Sequence, residues 1–241
     1  MRVLVVSDIH GNWEALQAVT RHAGTVDAIL CLGDIVDYGP EHKECVNWAR
    51  ANVHTTVRGN HDNAAAHRVS CECSPAMRDL SMLTRQEAWK QLDKSDLDWL
   101  RSLPAGLDLQ LDGRRMHLVH ATPRSPLYEY LPPTPSEWSS SVHEVNADLL
   151  LVGHTHLPMA LRVGPTVVVN PGSVGQPRDG DPRAAYAIIE NGEPSLYRVE
   201  YDVEATIARL GRSTLPSTAV ARLAHILRGE ERVRVRSEVE S

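Results

Sequence analysis

Long apolar segments are absent from this chain of 241 residues. No apolar run approaches the ~20 residues that a membrane-spanning helix needs, and Met1 leads straight into a strand-like segment without a cleavable signal pattern. The sequence also has no internal repeat, no low-complexity tract and no convincing interdomain linker. We therefore expect a cytoplasmic protein without a membrane partner.

The chain also lacks an excess of positive charge. Its formal net charge is −6, from 25 basic and 31 acidic residues. A protein that binds duplex DNA through a broad basic face needs the opposite balance, because lysine and arginine supply the phosphate contacts. The charge argues against duplex DNA as a partner, whereas acidic residues at a metal site would be consistent with it.

Cysteine is scarce, and the four cysteines do not form the pair of pairs of a zinc finger. An intracellular chain of this length needs no disulfide framework. Cys71 and Cys73 could bind a metal or become oxidised, but two loosely placed thiols are more often inert. The sequence alone therefore assigns them no role.

Strand-like and helical segments alternate in the first part of the chain. Apolar runs predict strands over residues 3–7, 27–32 and 53–57, and amphipathic spacing predicts helices over 12–22 and 41–51. This alternation predicts a parallel sheet with right-handed crossovers.

The middle of the chain predicts helices, a hairpin and a loop. Residues 64–104 are helical and polar in character, with Ser95 and Asp98 spaced as a capping box. Residues 107–119 predict a hairpin that turns at Asp112-Gly113. Residues 122–141 contain five prolines and predict a long irregular loop.

The last part of the chain is rich in predicted strands. Five short apolar segments between residues 149 and 200 predict mostly antiparallel strands. Helices are expected over 205–210 and 218–227, followed by a charged, frayed tail over 229–241. We expect one domain over residues 1–200 and a C-terminal helical extension over 201–241.

Four short polar stretches each follow a strand-like apolar run. They are Asp8-Ile9-His10, Gly33-Asp34-Ile35-Val36-Asp37, Gly59-Asn60-His61-Asp62 and Gly153-His154-Thr155-His156. In an open α/β sheet, ligands bind at the carboxyl ends of the strands, so residues placed directly after strands can converge on one site. His120, which follows the second strand of the predicted hairpin, has the same placement.

These stretches contain seven candidate metal ligands: Asp8, His10, Asp34, Asn60, His120, His154 and His156. Seven ligands are too many for one tetrahedral ion but suit two ions that share a carboxylate. Nitrogen and oxygen donors without thiolate fit Mn, Fe, Zn, Co or Ni, and do not choose among them. Two such ions activate water and clamp the oxygens of an in-line displacement at phosphorus, so the pattern favours phosphoester hydrolysis.

Together, the four stretches and His120 resemble the complete motif set of the calcineurin-like metallophosphoesterases. The segment Asn170-Pro171-Gly172-Ser173-Val174-Gly175-Gln176-Pro177-Arg178 extends the resemblance to the small bacterial and archaeal phosphodiesterase branch. The resemblance implies an α/β fold, a four-layer αββα sandwich with mixed β-sheets, and a dinuclear site at one rim. It also implies hydrolysis through attack by a metal-bridging hydroxide.

The same resemblance implies a role for each matching residue. The first metal ion would be held by Asp8, His10, Asp34 and His156. The second would share Asp34 and be held also by Asn60, His120 and His154. His61 would act as general acid on the leaving oxygen, and Asp37 would orient or charge its imidazole.

Three neighbouring residues are weaker candidates for substrate contact. Asn12 is equally suited to cap a helix, and Arg58 is equally suited to a buried ion pair that supports its turn. Tyr38, beside Asp37, is a candidate to line the pocket. Tyr128 and Tyr130 on the proline-rich segment could stack on a base, although tyrosines in loops more often simply pack.

The favoured function is a metal-dependent phosphoesterase acting on a phosphodiester or phosphoanhydride. The Asp37-Tyr38-Gly39-Pro40 stretch resembles the branch that includes diadenosine-polyphosphate hydrolases, so a nucleotide or dinucleoside polyphosphate is the expected small-molecule partner. A phosphomonoesterase and a cyclic-nucleotide phosphodiesterase remain open. A non-catalytic scaffold of this fold is disfavoured, because every ligand position and His61 are intact.

Overall fold

The structure, a computed structural model, describes residues 1–231. Ten strands form in this part of the chain: β1 (Arg2–Val6), β2 (Ala28–Cys31), β3 (Thr55–Thr56), β4 (Gly106–Leu111), β5 (Arg114–Val119), β6 (Leu149–Leu151), β7 (Met159–Val163), β8 (Thr166–Asn170), β9 (Ala184–Glu190) and β10 (Glu193–Val199). Eight helices accompany them: α1 (Trp13–Ala23), α2 (His42–Asn52), α3 (Asn60–His67), α4 (Pro75–Gln91), α5 (Lys94–Ser102), α6 (Pro135–His143), α7 (Val203–Leu210) and α8 (Ser217–Leu227).

The strands form two mixed five-stranded sheets. The first sheet has the order β10-β9-β1-β2-β3, in which β1, β2 and β3 are parallel and β9 is antiparallel to both of its neighbours. The second sheet has the order β4-β5-β6-β8-β7. The mixed α/β character expected from the sequence is confirmed.

Alternating side chains along β1 show how the layers stack. Val3 and Val5 pack between the two sheets, in one apolar cluster with Leu118 of β5 and Leu151 of β6. Successive strand residues face opposite sides of a sheet, and Leu4 and Val6 accordingly pack under α1 and α2. On the outer face of the second sheet lies Trp138 of α6. The result is the four-layer αββα sandwich that the family resemblance implied.

The prediction of an irregular loop over residues 122–141 is wrong at its end, because α6 begins at Pro135. Proline is tolerated in the first turn of a helix, where its missing N–H would have no partner within the helix. Trp138 and Val142, four residues apart, then pack together on the second sheet. Their helical spacing was hidden by the prolines before them.

The expectation of mostly antiparallel strands also needs correction at β6. This strand lies between β5 and β8 and is parallel to both. A parallel pair needs a crossover connection of a dozen or more residues, and the segment carrying α6 provides the crossover from β5 to β6. The predicted hairpin is confirmed, with β4 and β5 antiparallel and joined at Asp112-Gly113.

The capping box lies two residues earlier than predicted. Asp93 is the N-cap residue of α5, and its side chain accepts from the backbone N–H of Asp96 at 3.0 Å. The Asp96 carboxylate accepts in return from the N–H of Asp93 at 2.9 Å. Asp93 and Asp96 have the same spacing as Ser95 and Asp98, so the pattern alone could not separate the two.

Both C-terminal helices pack on the helical side of the molecule. Leu210 of α7 and Leu223 of α8 share a buried cluster with Met77 and Leu80 of α4. The division into a domain over 1–200 and an extension over 201–241 stays a prediction. Most of the predicted frayed tail, residues 232–241, lies outside the described residues. Among residues 1–231, no helix is long and apolar enough to cross a membrane.

Candidate active site

An unusual backbone conformation marks the carboxyl ends of the central strands. Seven residues there have φ between 47° and 68°, in the left-handed region: Asp8, His10, Asp34, Asp37, Tyr38, His154 and His156. This conformation is uncommon outside glycine, and such residues cluster at functional sites when the surrounding structure holds them in place. The sharp turns aim the side chains of several strands at one place.

A first group of candidate ligands comprises Asp8, His10 and His156. Their ligand atoms all lie within 4.8 Å of one another, and all three side chains are buried. His156 Nε2 lies 3.1 Å from Asp8 Oδ1 and 3.2 Å from His10 Nε2. Residues from the turns after β1 and after β6, far apart in the chain, therefore meet at one point.

A second group comprises Asp34, His120 and His154, whose ligand atoms again lie within 4.8 Å of one another. Asn60 joins this group through its side-chain oxygen, which is 3.0 Å from His120 Nε2 and 3.2 Å from His154 Nδ1. The Asn60 amide nitrogen donates to the carbonyl of Cys71 at 2.7 Å. That bond holds the Asn60 oxygen toward the site.

Asp34 lies between the two groups. Its Oδ2 is 3.3 Å from His120 Nε2 in the second group and 3.8 Å from His10 Nε2 in the first. Its Oδ1 accepts from the backbone N–H of His61 at 2.8 Å. A side-chain carbon at Gly59 would overlap this carboxylate, so the close approach of Asp34 to the start of α3 requires glycine.

Hydrogen bonds to backbone carbonyls fix three of the imidazoles. His10 Nδ1 faces the carbonyl of Val36 at 2.9 Å, and His120 Nδ1 faces that of Leu32 at 2.7 Å. His156 Nδ1 faces the carbonyl of Gln176 at 2.5 Å. A carbonyl only accepts, so each Nδ1 carries the proton and leaves the Nε2 lone pair pointing into the site, as ligating histidines require.

The donor set fits two cations. With Nδ1 protonated, His10 Nε2 and His156 Nε2 are both acceptors, and they converge on Asp8 Oδ1, a buried oxygen without a hydrogen-bond donor. Buried acceptors that face one another without a donor are unfavourable unless a cation lies between them. Burial also lowers the pKa of His10 to about 3, so its imidazole is neutral and free to bind a cation at neutral pH.

His61 lies beside the first group but is held by other residues. Its Nδ1 is 2.7 Å from Asp37 Oδ2, and its ring packs edge-on against His10 with 5.1 Å between ring centres. Burial opposes the charged imidazole, but the charges of Asp34 and Cys71 and the hydrogen-bonded Asp37 outweigh it and raise the pKa of His61. The imidazole is therefore placed to carry a proton next to the metal ligands.

A buried arginine completes this arrangement. Arg85 of α4 donates to Asp37 Oδ2 at 2.5 Å and to Ser81 Oγ at 2.7 Å. Burial would raise the pKa of Asp37, but the guanidinium and His61 lower it, so the carboxylate stays ionised. Sequence reasoning missed Arg85, because it lies within a polar helical segment without a local motif.

Asp62, the last residue of the Gly59–Asp62 stretch, has a structural position. Its carboxylate accepts backbone N–H groups from Asp34 and Ile35 at 2.8 Å each, and from Gly59 at 3.1 Å. Burial and the nearby charge of Asp34 raise the pKa of Asp62 to about 6. Asp62 thus holds the turn that presents Asp34 against the start of α3.

The weaker candidates have defined contacts. Asn12 caps α1 through its side-chain oxygen, which accepts from Ala15 N at 3.2 Å, while its amide donates to the carbonyl of Gly175 at 2.9 Å. These contacts favour the capping role over substrate contact. Arg58 donates to the carbonyl of Arg101 at 2.7 Å, a hydrogen bond in place of the ion pair considered for it.

Tyr38 lies at the site, packed against both His10 and His61 with ring centres 4.8 and 4.9 Å away. The guanidinium carbon of Arg178 lies 5.8 Å from the Tyr38 ring centre. Arg178 belongs to the quoted segment 170–178, yet sequence analysis gave it no role. It places a positive charge near His156. Burial of the His156 imidazole and this charge both lower the pKa of His156.

The two loop tyrosines pack rather than project. The Tyr130 ring lies over His154 with 3.9 Å between ring centres, and the Tyr128 hydroxyl accepts from Asn63 Nδ2 at 3.2 Å. The segment before α6 therefore covers the second group of ligands.

Residues 1–193 match the model of the calcineurin-like phosphoesterase superfamily domain. The chain belongs to this superfamily. Among its relatives, the phosphodiesterase YfcE of Escherichia coli K12 is 27% identical over 222 residues, which are 91% of this chain and 98% of YfcE. The protein MJ0912 of Methanocaldococcus jannaschii, named as uncharacterized, is 32% identical over 241 residues, covering 92% of this chain and 96% of MJ0912.

A solved structure agrees with the family assignment. The metallophosphoesterase from Sphaerobacter thermophilus is 38% identical and superposes with a TM-score of 0.78, over 93% of this chain and 99% of that one. Membership of the superfamily and the phosphodiesterase relatives support a hydrolase that uses divalent metal ions. The expected family and fold are thus confirmed.

Proposed function

We propose that this chain hydrolyses phosphodiester or phosphoanhydride bonds with two divalent transition-metal ions. The observation that carries the proposal is the convergence of seven buried ligand side chains in two adjoining groups, with Asp34 between them. A single ion could not contact both groups, whereas two ions that share Asp34 would use all seven side chains.

Each ion has a set of residues to hold it. Asp8, His10 and His156, with Asp34, would bind the first ion; Asn60, His120 and His154, with the same Asp34, would bind the second. When bound, two such ions lower the pKa of water and neutralise charge on the phosphoryl oxygens. The donors favour Mn, Fe, Zn, Co or Ni, with Mn expected to work in vitro.

His61 would supply the proton that the leaving oxygen needs. A general acid must be protonated near neutral pH and reach the substrate. The raised pKa of His61 meets the first condition, and its contact with His10 places it at the edge of the first group of ligands. Asp37 holds Nδ1, so the other ring nitrogen is available to the substrate.

A diester or anhydride is favoured over a monoester by the name of YfcE as a phosphodiesterase. A nucleotide-type substrate is supported by the resemblance at residues 37–40 to diadenosine-polyphosphate hydrolases. Arg178 and Tyr38, which lie together beside the first group, would contact a second phosphate and the adjoining part of the substrate.

The test is turnover of bis(p-nitrophenyl) phosphate with added Mn²⁺, combined with metal analysis. We expect two ions per chain, and EDTA should abolish turnover. His156→Ala should lose an ion and most activity, whereas His143→Ala, an exposed histidine on α6, is the matched control and should lose neither. One ion per chain with full turnover, or no turnover with any divalent metal, would overturn the proposal.

The substrate class is tested on the same preparation. Dinucleoside polyphosphates, cyclic nucleotides and nucleotide monophosphates are compared at equal concentration with Mn²⁺. We expect the highest kcat/KM on a dinucleoside polyphosphate. A preference for monoesters would reject the diesterase assignment and leave the two-ion site standing.

A further inference from the structure

Two cysteines outside the ligand set meet next to the site. The Sγ atoms of Cys71 and Cys73 lie 2.7 Å apart, in the segment between α3 and α4. Glu72, between them, has φ 52°, in the left-handed region that non-glycine residues seldom adopt. This turn folds the chain so that the two sulfurs meet, where an extended segment would keep them apart.

Cys71 is connected by hydrogen bonds to Asn60 and, through Ser81 and Arg85, to Asp37. Cys71 Sγ is 3.2 Å from Ser81 Oγ, and Ser81 accepts from Arg85, the residue that binds Asp37. The carbonyl of Cys71 accepts from the amide of Asn60 at 2.7 Å. Any change in the geometry of Cys71 therefore reaches a metal ligand directly and the His61–Asp37 pair through two side chains.

A cavity opens beside Cys71. It has a volume of about 320 Å³ and includes Cys71 but not Cys73 in its lining. Arg68 and Arg78 give it positive charge, since the charge of the third arginine in its lining, Arg85, is paired with Asp37. Met82 and Trp89 are among its apolar walls. Cys71 is therefore the member of this buried pair that borders the cavity, and a small anionic molecule bound there would meet Cys71 before Cys73.

We propose that Cys71 and Cys73 form a thiol–disulfide exchange site for a small anionic disulfide, such as a disulfide of an acidic thiol peptide. The Cys71 thiolate attacks one sulfur of the small disulfide, forms a mixed disulfide and releases one small thiol. Cys73 then attacks Cys71 Sγ, closes the Cys71–Cys73 disulfide and releases the second thiol. Two protein thiols are oxidised, one small disulfide is reduced, and the two protons pass to the released thiols.

Thiol chemistry explains the surroundings better than a third metal ion does. His61, Cys71 and Cys73 could in principle hold a cation, since their ligand atoms lie within 4.8 Å of one another. However, His61 is bonded to Asp37, and the Arg85 guanidinium adjoins the same Ser81 that contacts Cys71. Arg85 is itself paired with Asp37, but Arg68 and Arg78 in the cavity lining oppose a bound cation and favour an anionic reactant.

The first test follows the thiols and does not depend on the proposed function. The whole protein is equilibrated with oxidised glutathione and analysed by intact mass and peptide mapping. We expect loss of two hydrogens, a Cys71–Cys73 link, and a fall from four free thiols to two. All four cysteines are buried, but Cys31 and Cys45 do not line the cavity and should stay unchanged. Oxidation at Cys31 or Cys45 instead, or no reaction with the fold intact, would overturn the proposal.

The order of attack is tested with single variants. Cys73→Ser should stop at the mixed disulfide, so that its mass rises by one glutathionyl group on Cys71. Cys71→Ser should give no adduct at comparable times, because Cys73 does not line the cavity. Faster modification of Cys73 than of Cys71 would contradict the assignment. A melting curve for each variant confirms that it is folded.

The choice of an anionic reactant is tested with two disulfides of opposite charge. Oxidised glutathione should react faster than cystamine with the natural protein. Arg78→Gln, which changes an exposed wall of the cavity away from Asp37, should lower this rate ratio about two- to fivefold, the effect of one exposed charge pair. An unchanged ratio, or a preference for cystamine, would reject the anion-binding role.

A consequence for turnover rests on the proposed function. The disulfide should lower metal-dependent hydrolysis by disturbing Asn60, and a dithiol reductant should restore it. The Cys71→Ser/Cys73→Ser double variant should be insensitive to oxidised glutathione. If the link forms without any change in turnover, the exchange site stands and its control of the active site is rejected; if no turnover exists in either state, only the proposed function fails.

Discussion

The substitution His61→Ala separates proton donation from metal binding. General-acid catalysis contributes about 10²- to 10⁴-fold, equivalent to about 2.7–5.4 kcal/mol in the activation free energy at ~1.36 kcal/mol per tenfold. We expect a loss of this size on an alkyl or nucleoside ester. On a nitrophenyl ester the loss should be smaller, because nitrophenolate leaves without a proton.

We expect the variant to keep the two proposed ions. The contact from residue 61 to Asp34 comes from the backbone N–H, which alanine retains. Asp37 keeps Arg85 as a partner, so its buried carboxylate is not left unpaired. The cost in stability should then be about 1–3 kcal/mol, that of one lost buried hydrogen-bonding partner.

The assay measures kcat/KM on an alkyl ester and on a nitrophenyl ester, with metal content determined on the same samples. His67→Ala, an exposed histidine at the end of the same helix, is the matched control and should leave both rates within about twofold. Equal losses on both esters, or a missing ion in His61→Ala, would refute general-acid catalysis and show that His61 binds phosphate or metal.

Three further predictions concern the carboxylates and the arginine beside the site. Asp34→Asn should weaken the binding of both ions more than replacement of any one histidine ligand does. The carboxylate charge of Asp34 would offset the repulsion between the two cations, and asparagine removes that charge. A calorimetric Mn²⁺ titration that gives two unchanged affinities would exclude a bridging role for Asp34. His61 must be protonated to act as the acid, so kcat on an alkyl ester should fall as pH rises through the raised pKa of His61. Asp37→Asn should lower that pKa and move the fall in kcat to lower pH. A pH profile that does not move would show that Asp37 does not stabilise the charged form of His61. Arg85→Gln should lower kcat on the alkyl ester about tenfold, while KM and metal content stay nearly unchanged. The reason is that Arg85 contacts Asp37 and none of the seven proposed metal ligands. A change confined to KM would indicate that Arg85 binds substrate instead.

Local sequence determined the elements and the ligand types. Strand residues alternate between the two faces of a sheet, and the apolar runs at the start of the chain located β1 and β2. Because parallel strands end at the same edge of their sheet, the polar residues that follow these strands are expected to lie close together. Asp8, Asp34 and Asn60 could therefore be grouped without coordinates. The short motifs then indicated the family.

Local sequence could not decide features that depend on distant packing. The prolines of residues 122–141 predicted a loop, but Pro135 begins a helix because Trp138 and Val142 gain burial on the second sheet. Strand β6 carries only three leucines, and its parallel pairing follows from which neighbours lie on each side.

The surroundings of His61 were decided entirely by tertiary structure. Arg85 stands 48 positions from Asp37, and Cys71 lies in a segment without a motif. Both side chains become significant only because α4 packs against the turn that carries Asp37, where burial strengthens every charge interaction. Residue type and spacing specify which groups can bind a metal ion, whereas the packing of helices onto the sheet determines which charges and thiols stand beside them.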